Sequence, residues 1–221
     1  NVVKQMQYEW FLIKIYLTAR NLYSFMKKII LLIVVLFSTA NYSQELNKPS
    51  EGKALVYFTR VSSTGFLINF KYFDNEKYLG KFNHGKYLAY ECEPGKHLFW
   101  AKSENVDYLE AELEAGKVYI IDSEPQMGAI KAAVKLVPFD NNQDNYKNVK
   151  KYERKKSDIL GAIVGAKEFK ISDEDLAEAE NDQESLVKRS IEKYEKRKAK
   201  GESYPILAAS NNYMSNSGEI K

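Results

Sequence analysis

The chain has 221 residues, of which 44% are hydrophobic, and it carries 33 Lys and Arg residues against 30 Asp and Glu residues. Five of the basic residues but only one acidic residue lie before residue 44, so the remainder is close to neutral. Overall charge therefore gives no support for a nucleic-acid partner, and none is expected. The only cysteine is Cys92, which excludes an intramolecular disulfide.

Residues 26–43 have the pattern of a secretory signal peptide. Two lysines follow Met26, an unbroken apolar run occupies 29–37, and small residues at Ser38 and Ala40 form a cleavage pattern. The apolar run is shorter than the roughly 20 residues that span a bilayer. We therefore expect translation to begin at Met26 and the protein to be exported to the periplasm or the extracellular space.

Residues 1–25 precede this leader and contain no helix-capping or turn pattern of their own. The simplest interpretation is an upstream mis-start or a translated fragment. The alternative is a longer, uncleaved anchor that would hold a periplasmic domain at the membrane. Lys14 and Arg20 interrupt the apolar segment that such an anchor would require.

Residues 53–140 predict a mainly β domain, because short runs rich in Val, Ile, Tyr and Phe alternate with turn residues about every ten positions. This spacing is typical of an antiparallel β-sandwich of about seven to eight short strands. We expect this domain to fold without the rest of the chain. The predicted strands are 53–61, 66–73, 77–82, 86–92, 96–102, 108–113, 117–123 and 130–138.

Residues 145–200 predict a charged C-terminal helical extension. One helix is expected over 146–167, and its basic run 147–156 is interpreted as a solvated face, with acidic lipid or nucleic acid as an alternative. A second helix is expected over 173–198, because Ser172 and Asp175 form a capping box. Its apolar stripe is thin, which predicts a position on a surface or a partner and not in the core.

Residues 201–221 are rich in Ser, Asn and other small or polar residues and are predicted to be a disordered tail.

The sequence predicts no catalytic, cofactor-binding or metal site. Its two histidines, His84 and His97, do not stand at metal-ligand spacing from Cys92 or from acidic residues. A row formed by Glu110, Glu112 and Glu114 is interpreted as a solvated strand face. Phosphate-binding motifs are absent.

The one enzyme hypothesis is a thiol nucleophile formed by Cys92 and His97. A short turn at 93–96 would place the two side chains across from each other on paired strands, and an imidazole beside a thiol can activate it. The competing interpretation is that Cys92 packs as a small apolar residue beside Leu88 and Tyr90. No third residue that would orient the imidazole can be recognised.

The β region resembles the bacterial domain of unknown function 2846, a family of small exported, PEGA-like β-sandwich proteins. The pieces that carry the resemblance lie in the family's order over residues 53–140 and include ALVYFTR, YFDNEKYLGKF, KYLAYECEPGKH and EAGKVYII. The turn Asp74-Asn75-Glu76 departs from the family because it lacks a glycine. The resemblance implies the fold but no activity and no functional residues.

Together these features predict an exported, non-enzymatic β-sandwich module that binds a protein or a cell-envelope surface. Contact with a membrane is expected only through an uncleaved leader. The alternatives left open are the thiol-dependent enzyme and the anchored periplasmic domain.

Overall fold

A computed structural model describes residues 46–127 and 132–213, together with scattered positions between 6 and 28. The side chains at 173–175 and 177–182 are outside this description, as are residues 29–43 of the predicted signal peptide and residues 214–221. The chain divides into two compact units, Asn1–Glu45 and Leu46–Lys221. In the first unit, the described positions are helical. Within the described residues, no helix combines the length and the apolar character that crossing a membrane would require.

The second unit is mainly β, with ten strands in its described residues. Its strands are β1 (Ala54–Thr59), β2 (Phe70–Asp74), β3 (Lys77–Phe82), β4 (Lys86–Cys92), β5 (Gly95–Lys102), β6 (Val106–Leu113), β7 (Val118–Met127), β8 (Ala132–Pro138), β9 (Lys167–Glu168) and β10 (Ile206–Leu207). The first eight correspond to the eight predicted strands. The two largest differences are of four residues each: β2 begins at Phe70, because residues 64–67 form a turn, and β7 continues to Met127.

The strands form two five-stranded sheets. Sheet I has the order β8-β7-β1-β4-β9, and sheet II has the order β10-β6-β5-β2-β3. The predicted antiparallel arrangement is wrong in three places: β1 runs parallel to β7, β9 parallel to β4, and β10 parallel to β6. Parallel neighbours need a long crossover, and each of these pairs is separated by a long stretch of chain.

One apolar cluster draws buried side chains from both sheets. Sheet I contributes alternate residues of β1 and β7, and sheet II contributes alternate residues of β2, β5 and β6. Phe58 shows the contact directly, because its ring lies 5.6 Å from that of Tyr72 and 5.3 Å from that of Phe99. This shared cluster is the core of the unit.

The other face of sheet I is covered by helix α1 (Val149–Val164). Asn148 caps the helix, since its side chain accepts a hydrogen bond from the backbone amide of Lys151 at 3.0 Å. Tyr152, Ile159 and Ile163 are buried against β1 and β7. The predicted helix over 146–167 is therefore present. Its buried residues and sheet I form an apolar cluster that is separate from the core shared by the two sheets.

The other face of sheet II is covered by helix α2 (Asp173–Lys198), which has the predicted bounds. Its described apolar residues pack on Phe73, Trp100 and Tyr108. Trp100 stacks on Phe73 with ring centroids 3.8 Å apart, and the Tyr108 hydroxyl donates a hydrogen bond to the Ser190 carbonyl at 2.7 Å. The thin apolar stripe of α2 thus lies on the surface of sheet II, as expected. Together with residues of the sheet it forms a third apolar cluster.

The chain beyond residue 165 also completes the edges of both sheets. Strand β9 pairs with β4, and β10 pairs with β6. Leu207 of β10 is fully buried in the shared core. Residues 201–213 therefore differ from the predicted disordered tail, because two sheet positions and a buried leucine anchor them.

We expect residues 44–140 alone to be much less stable than residues 44–221, in contrast to the independent domain that the composition predicts. Without α1 and α2, Trp100 and the apolar face of β1 would lose their cover. Tryptophan fluorescence tests this, since Trp100 is the only tryptophan in either fragment. The shorter fragment should emit at longer wavelength and unfold at a lower denaturant concentration. Equal midpoints would show that the helices add nothing to the core.

Candidate functional site

A groove of about 620 Å³ lies between sheet II and α2 in the second unit. It lies where β2 ends and β5 begins. We call it the acidic groove and define it by four carboxylates and an apolar floor. The carboxylates are those of Glu76, Glu110, Glu112 and Glu195, and the floor is formed by Leu98, Ala111, Ile191 and Ile206.

The four carboxylates of the acidic groove differ in their contacts: one is hydrogen-bonded and three are exposed. Glu110 accepts hydrogen bonds from Tyr194, at 2.8 Å, and from Lys198. The hydrogen bond from Lys198 lowers the pKa of Glu110. Glu76, Glu112 and Glu195 are exposed, and within the described residues no ion pair engages them. The groove therefore carries three exposed carboxylates beside apolar side chains, and one lysine, Lys96, lies in the same groove directly opposite Glu112.

His97 lies at the wall of this groove and is largely buried. Its Nδ1 is 2.8 Å from Oδ2 of Asp74, and its Nε2 is 2.8 Å from the backbone carbonyl oxygen of Glu93. Asp74 also accepts hydrogen bonds from the Tyr90 hydroxyl at 3.1 Å and from the Asn75 side-chain amide at 3.0 Å. The imidazole is thus held from both sides.

Both partners of His97 are acceptors only, because a carboxylate and a carbonyl carry no proton to donate. Both hydrogen bonds form together only when each ring nitrogen carries a proton, which is the imidazolium state. The hydrogen bond with Asp74 raises the pKa of His97, in agreement with this state. A doubly donating imidazolium has no free lone pair with which to act as a general base.

Cys92 and His97 lie on different sheets, so the predicted placement on paired strands is wrong. Cys92 is on β4 and pairs with Ala54 of β1, whereas His97 is on β5 and pairs with Ala111 of β6. The segment 93–94 crosses from sheet I to sheet II and is not a hairpin turn. A short linker between two strands therefore gave a misleading signal of pairing.

The Cys92 thiol packs in the shared core with Leu88, with Tyr90 beside it, as the competing interpretation expected. It is only 7% exposed. Burial, followed by the charge of Asp74, raises its pKa to about 12. At neutral pH the thiol is protonated, which is the opposite of an activated nucleophile.

The other sequence candidates are separated from one another. His84 is hydrogen-bonded through Nδ1 to the Arg60 carbonyl at 3.1 Å, in the loops at the far end of the sheets. Lys155 of the basic run bonds to Asp122 at 3.0 Å and to Glu124 at 3.2 Å, so it helps to fasten α1 to sheet I. Within the described residues, no group of three His, Cys, Asp or Glu side chains could hold a metal ion.

Asp74 is the residue of this site that the sequence analysis did not identify. It orients His97, although no third residue could be recognised beside Cys92 and His97 beforehand. The contact arises because β2 pairs with β5, which places Asp74 opposite Phe99 and diagonal to His97. Strands β3 and β4 intervene in the chain, so only the pairing order would have pointed to it.

No protein-family profile, curated protein or solved structure matches this chain.

We expect Cys92 to react with a thiol reagent only after unfolding, because the folded thiol is buried and protonated. Labelling in native buffer should be slower than in denaturant by several orders of magnitude, and His97→Ala should not slow it further. Mass spectrometry of timed samples measures both rates. Rapid labelling of the folded chain that depends on His97 would instead support the thiol enzyme.

The His97–Asp74 hydrogen bond should make stability depend on pH. Because the folded-state pKa of His97 is raised above 6.5, the folded state holds a proton that the unfolded state releases first. The contribution of this hydrogen bond to the free energy of unfolding should therefore be complete below about pH 6.5. It should be lost as pH rises through the folded-state pKa of His97.

Urea unfolding at a series of pH values measures this effect. His97→Gln serves as the matched control, since glutamine cannot titrate there and the fall in stability over this range should flatten. An unchanged pH profile in the variant would assign the fall to other groups.

Proposed function

We propose that the protein is an exported, non-enzymatic binding module that engages a protein partner through the acidic groove. The observation that carries the proposal is the combination of exposed carboxylates with an apolar floor in one groove. Such a surface complements a segment of a partner that carries both lysine or arginine and apolar side chains. A cell-envelope surface that presents such a segment is included.

The state of the two candidate catalytic groups favours a module over an enzyme. His97 donates both ring protons to fixed acceptors, and Cys92 is buried with a raised pKa. The thiol-dependent enzyme would require both groups to leave these environments. It therefore remains the second candidate, supported only by the identity of the two residues.

Export rests on the sequence pattern of residues 26–43 alone. Cleavage there would release the second unit into the periplasm or the extracellular space. If the leader stays attached, the same unit would be an anchored periplasmic domain. Sequencing the N-terminus of the exported protein separates the two.

A β-sandwich architecture and the resemblance to the domain of unknown function 2846 belong to the same proposal. The shared core between sheets I and II supports a sandwich. Gly95 and Gly116, which match the family's turn pattern, have φ values of 123° and 75°. These values fit turn positions that favour glycine. The motifs imply no activity, so the proposed binding role rests on the groove.

A lysine-rich peptide is a direct probe of the acidic groove. We expect a fluorescent decapeptide of alternating Lys and Leu to bind, and salt to weaken the binding. Glu76→Lys combined with Glu112→Lys should weaken it by roughly tenfold, because two attractive charges become repulsive. Fluorescence anisotropy measures the affinity.

Glu114→Lys is the matched control, since it makes the same kind of charge change at an exposed position that does not line the groove. The same variants should be compared in a pull-down from the cell envelope. A partner retained by wild type and Glu114→Lys, and lost from the double variant, would support the proposal. Equal binding by all forms would remove the groove from the function.

A further inference from the structure

The end of the sheets opposite the acidic groove carries an exposed apolar loop. Phe66 and Leu67 stand side by side in the turn between β1 and β2, and their side chains are 57% and 72% exposed. Met127, at the end of β7, is fully exposed. A pair of large apolar residues at a loop tip costs solubility and commonly marks an interaction site.

This loop is held in place by a buried arginine. Nη2 of Arg60 donates hydrogen bonds to the carbonyls of Thr64, at 3.0 Å, and Gly65, at 2.8 Å, and Nη1 donates to that of Ile68. The guanidinium also lies 4.2 Å from the ring centre of Phe70. Three loop carbonyls thus share one cation, which fixes the shape of the turn that presents Phe66 and Leu67.

Holding the loop in this way is energetically unfavourable for the core. Arg60 is only 2% exposed, its Nε has no hydrogen-bond partner, and within the described residues no carboxylate forms an ion pair with it. Burial lowers its pKa. Burying a cation costs free energy, which the three hydrogen bonds to loop carbonyls offset in part, so the burial of Arg60 depends on the shape of this loop.

The neighbouring loops contact the same tip. A Cβ atom at Gly65 would lie 3.5 Å from the Cβ of Ala132, the residue paired with Met127 across β7 and β8. The Ser103 hydroxyl bonds to the Ala132 carbonyl at 2.5 Å. The β1–β2 loop, the β5–β6 loop and the start of β8 therefore form one surface.

Three lysines lie beside this surface on the α2 side of sheet II. The Lys71 ammonium donates a hydrogen bond to Oε1 of Gln183 at 2.8 Å and that of Lys102 to the Glu104 carbonyl at 2.9 Å, whereas Lys81 is exposed. Lys71 on β2 stands directly opposite Lys81 on β3 and Lys102 on β5. Like charges at such positions repel each other. Burial and the charges of Lys193 and Lys71 lower the pKa of Lys102, although Glu104 partly offsets them. Lys71 follows Leu67 by four residues, which an extended chain spans in at most about 14 Å.

We propose that this surface, the loop end, docks on an anionic lipid bilayer. It comprises Phe66, Leu67 and Met127 as inserting side chains and Lys71, Lys81 and Lys102 as the basic flank. Exposed apolar side chains beside lysines match the two layers of an anionic membrane, where acyl chains lie beneath negative headgroups. A protein surface would have to reproduce both layers to fit equally well. This contact would be separate from the leader and from the acidic groove.

The test uses the full chain with a dye at the loop tip. Because Cys92 is buried, Leu67→Cys introduces one reactive thiol, which takes an environment-sensitive fluorophore. Glu114→Cys, exposed at the opposite end, is the control for attachment through any other part of the chain. Both are mixed with vesicles of phosphatidylcholine, with or without phosphatidylglycerol.

The dye at position 67 should shift to shorter wavelength with anionic vesicles and be quenched by spin-labelled lipid, and the dye at 114 should not. Lys81→Gln should weaken vesicle binding by about fivefold, whereas Lys96→Gln, the same change at the other end, should not. Phe66→Ser should weaken it by roughly tenfold or more. Far-UV circular dichroism verifies that each variant is folded.

Three outcomes would overturn the proposal. The dye at 67 could be unaffected while the chain sediments with vesicles, which would assign binding to another segment. It could shift with rising protein concentration and no lipid, which would assign the surface to a second copy of the chain. It could respond equally to neutral and anionic vesicles, which would remove the role of the lysines. None of these outcomes bears on binding at the acidic groove.

Discussion

Strand β1 is buried along its whole length, and this double-sided burial determines how the rest of the chain must be arranged. One side of β1 packs into the core that the two sheets share, and the other side needs the aromatic and aliphatic residues of α1. Sheet II faces the same requirement, which α2 meets over Trp100. A charged helix with a thin apolar stripe is therefore sufficient here, because the sheet supplies most of the apolar surface.

Polar groups near the core are organised around two buried charges. Asp74 and His97 are hydrogen-bonded to each other at one end of sheet II, and this contact raises the pKa of His97. In the part of the chain that the structure describes, Arg60 forms no ion pair at the other end and instead donates hydrogen bonds to loop carbonyls. The first arrangement stabilises its surroundings, whereas the second constrains a loop. The two ends of the unit thus differ in charge and in the contacts that their buried basic side chains, His97 and Arg60, make.

Local pattern predicted the elements well and their pairing poorly. All eight main strands are present where turn residues and alternation predict them, and α2 has the predicted bounds, because these signals depend on neighbours in the chain. The parallel pairing of β1 with β7 and the pairing of β2 with β5 depend on contacts between distant segments. Asp74 was missed for that reason. Cys92 and His97 were joined wrongly because five residues of separation suggested a hairpin, where the chain instead changes sheets.

The positions of β9 and β10 have a consequence for how the protein is made. Each closes one sheet edge, and both come from the last third of the chain. Until these segments emerge, the edges of β4 and β6 present unpaired backbone groups that can pair with other chains. Folding also has to bring β1 and β7 together across about sixty residues, which makes it slow. The nascent chain therefore presents unpaired strand edges until the segments that contain β9 and β10 have been synthesised.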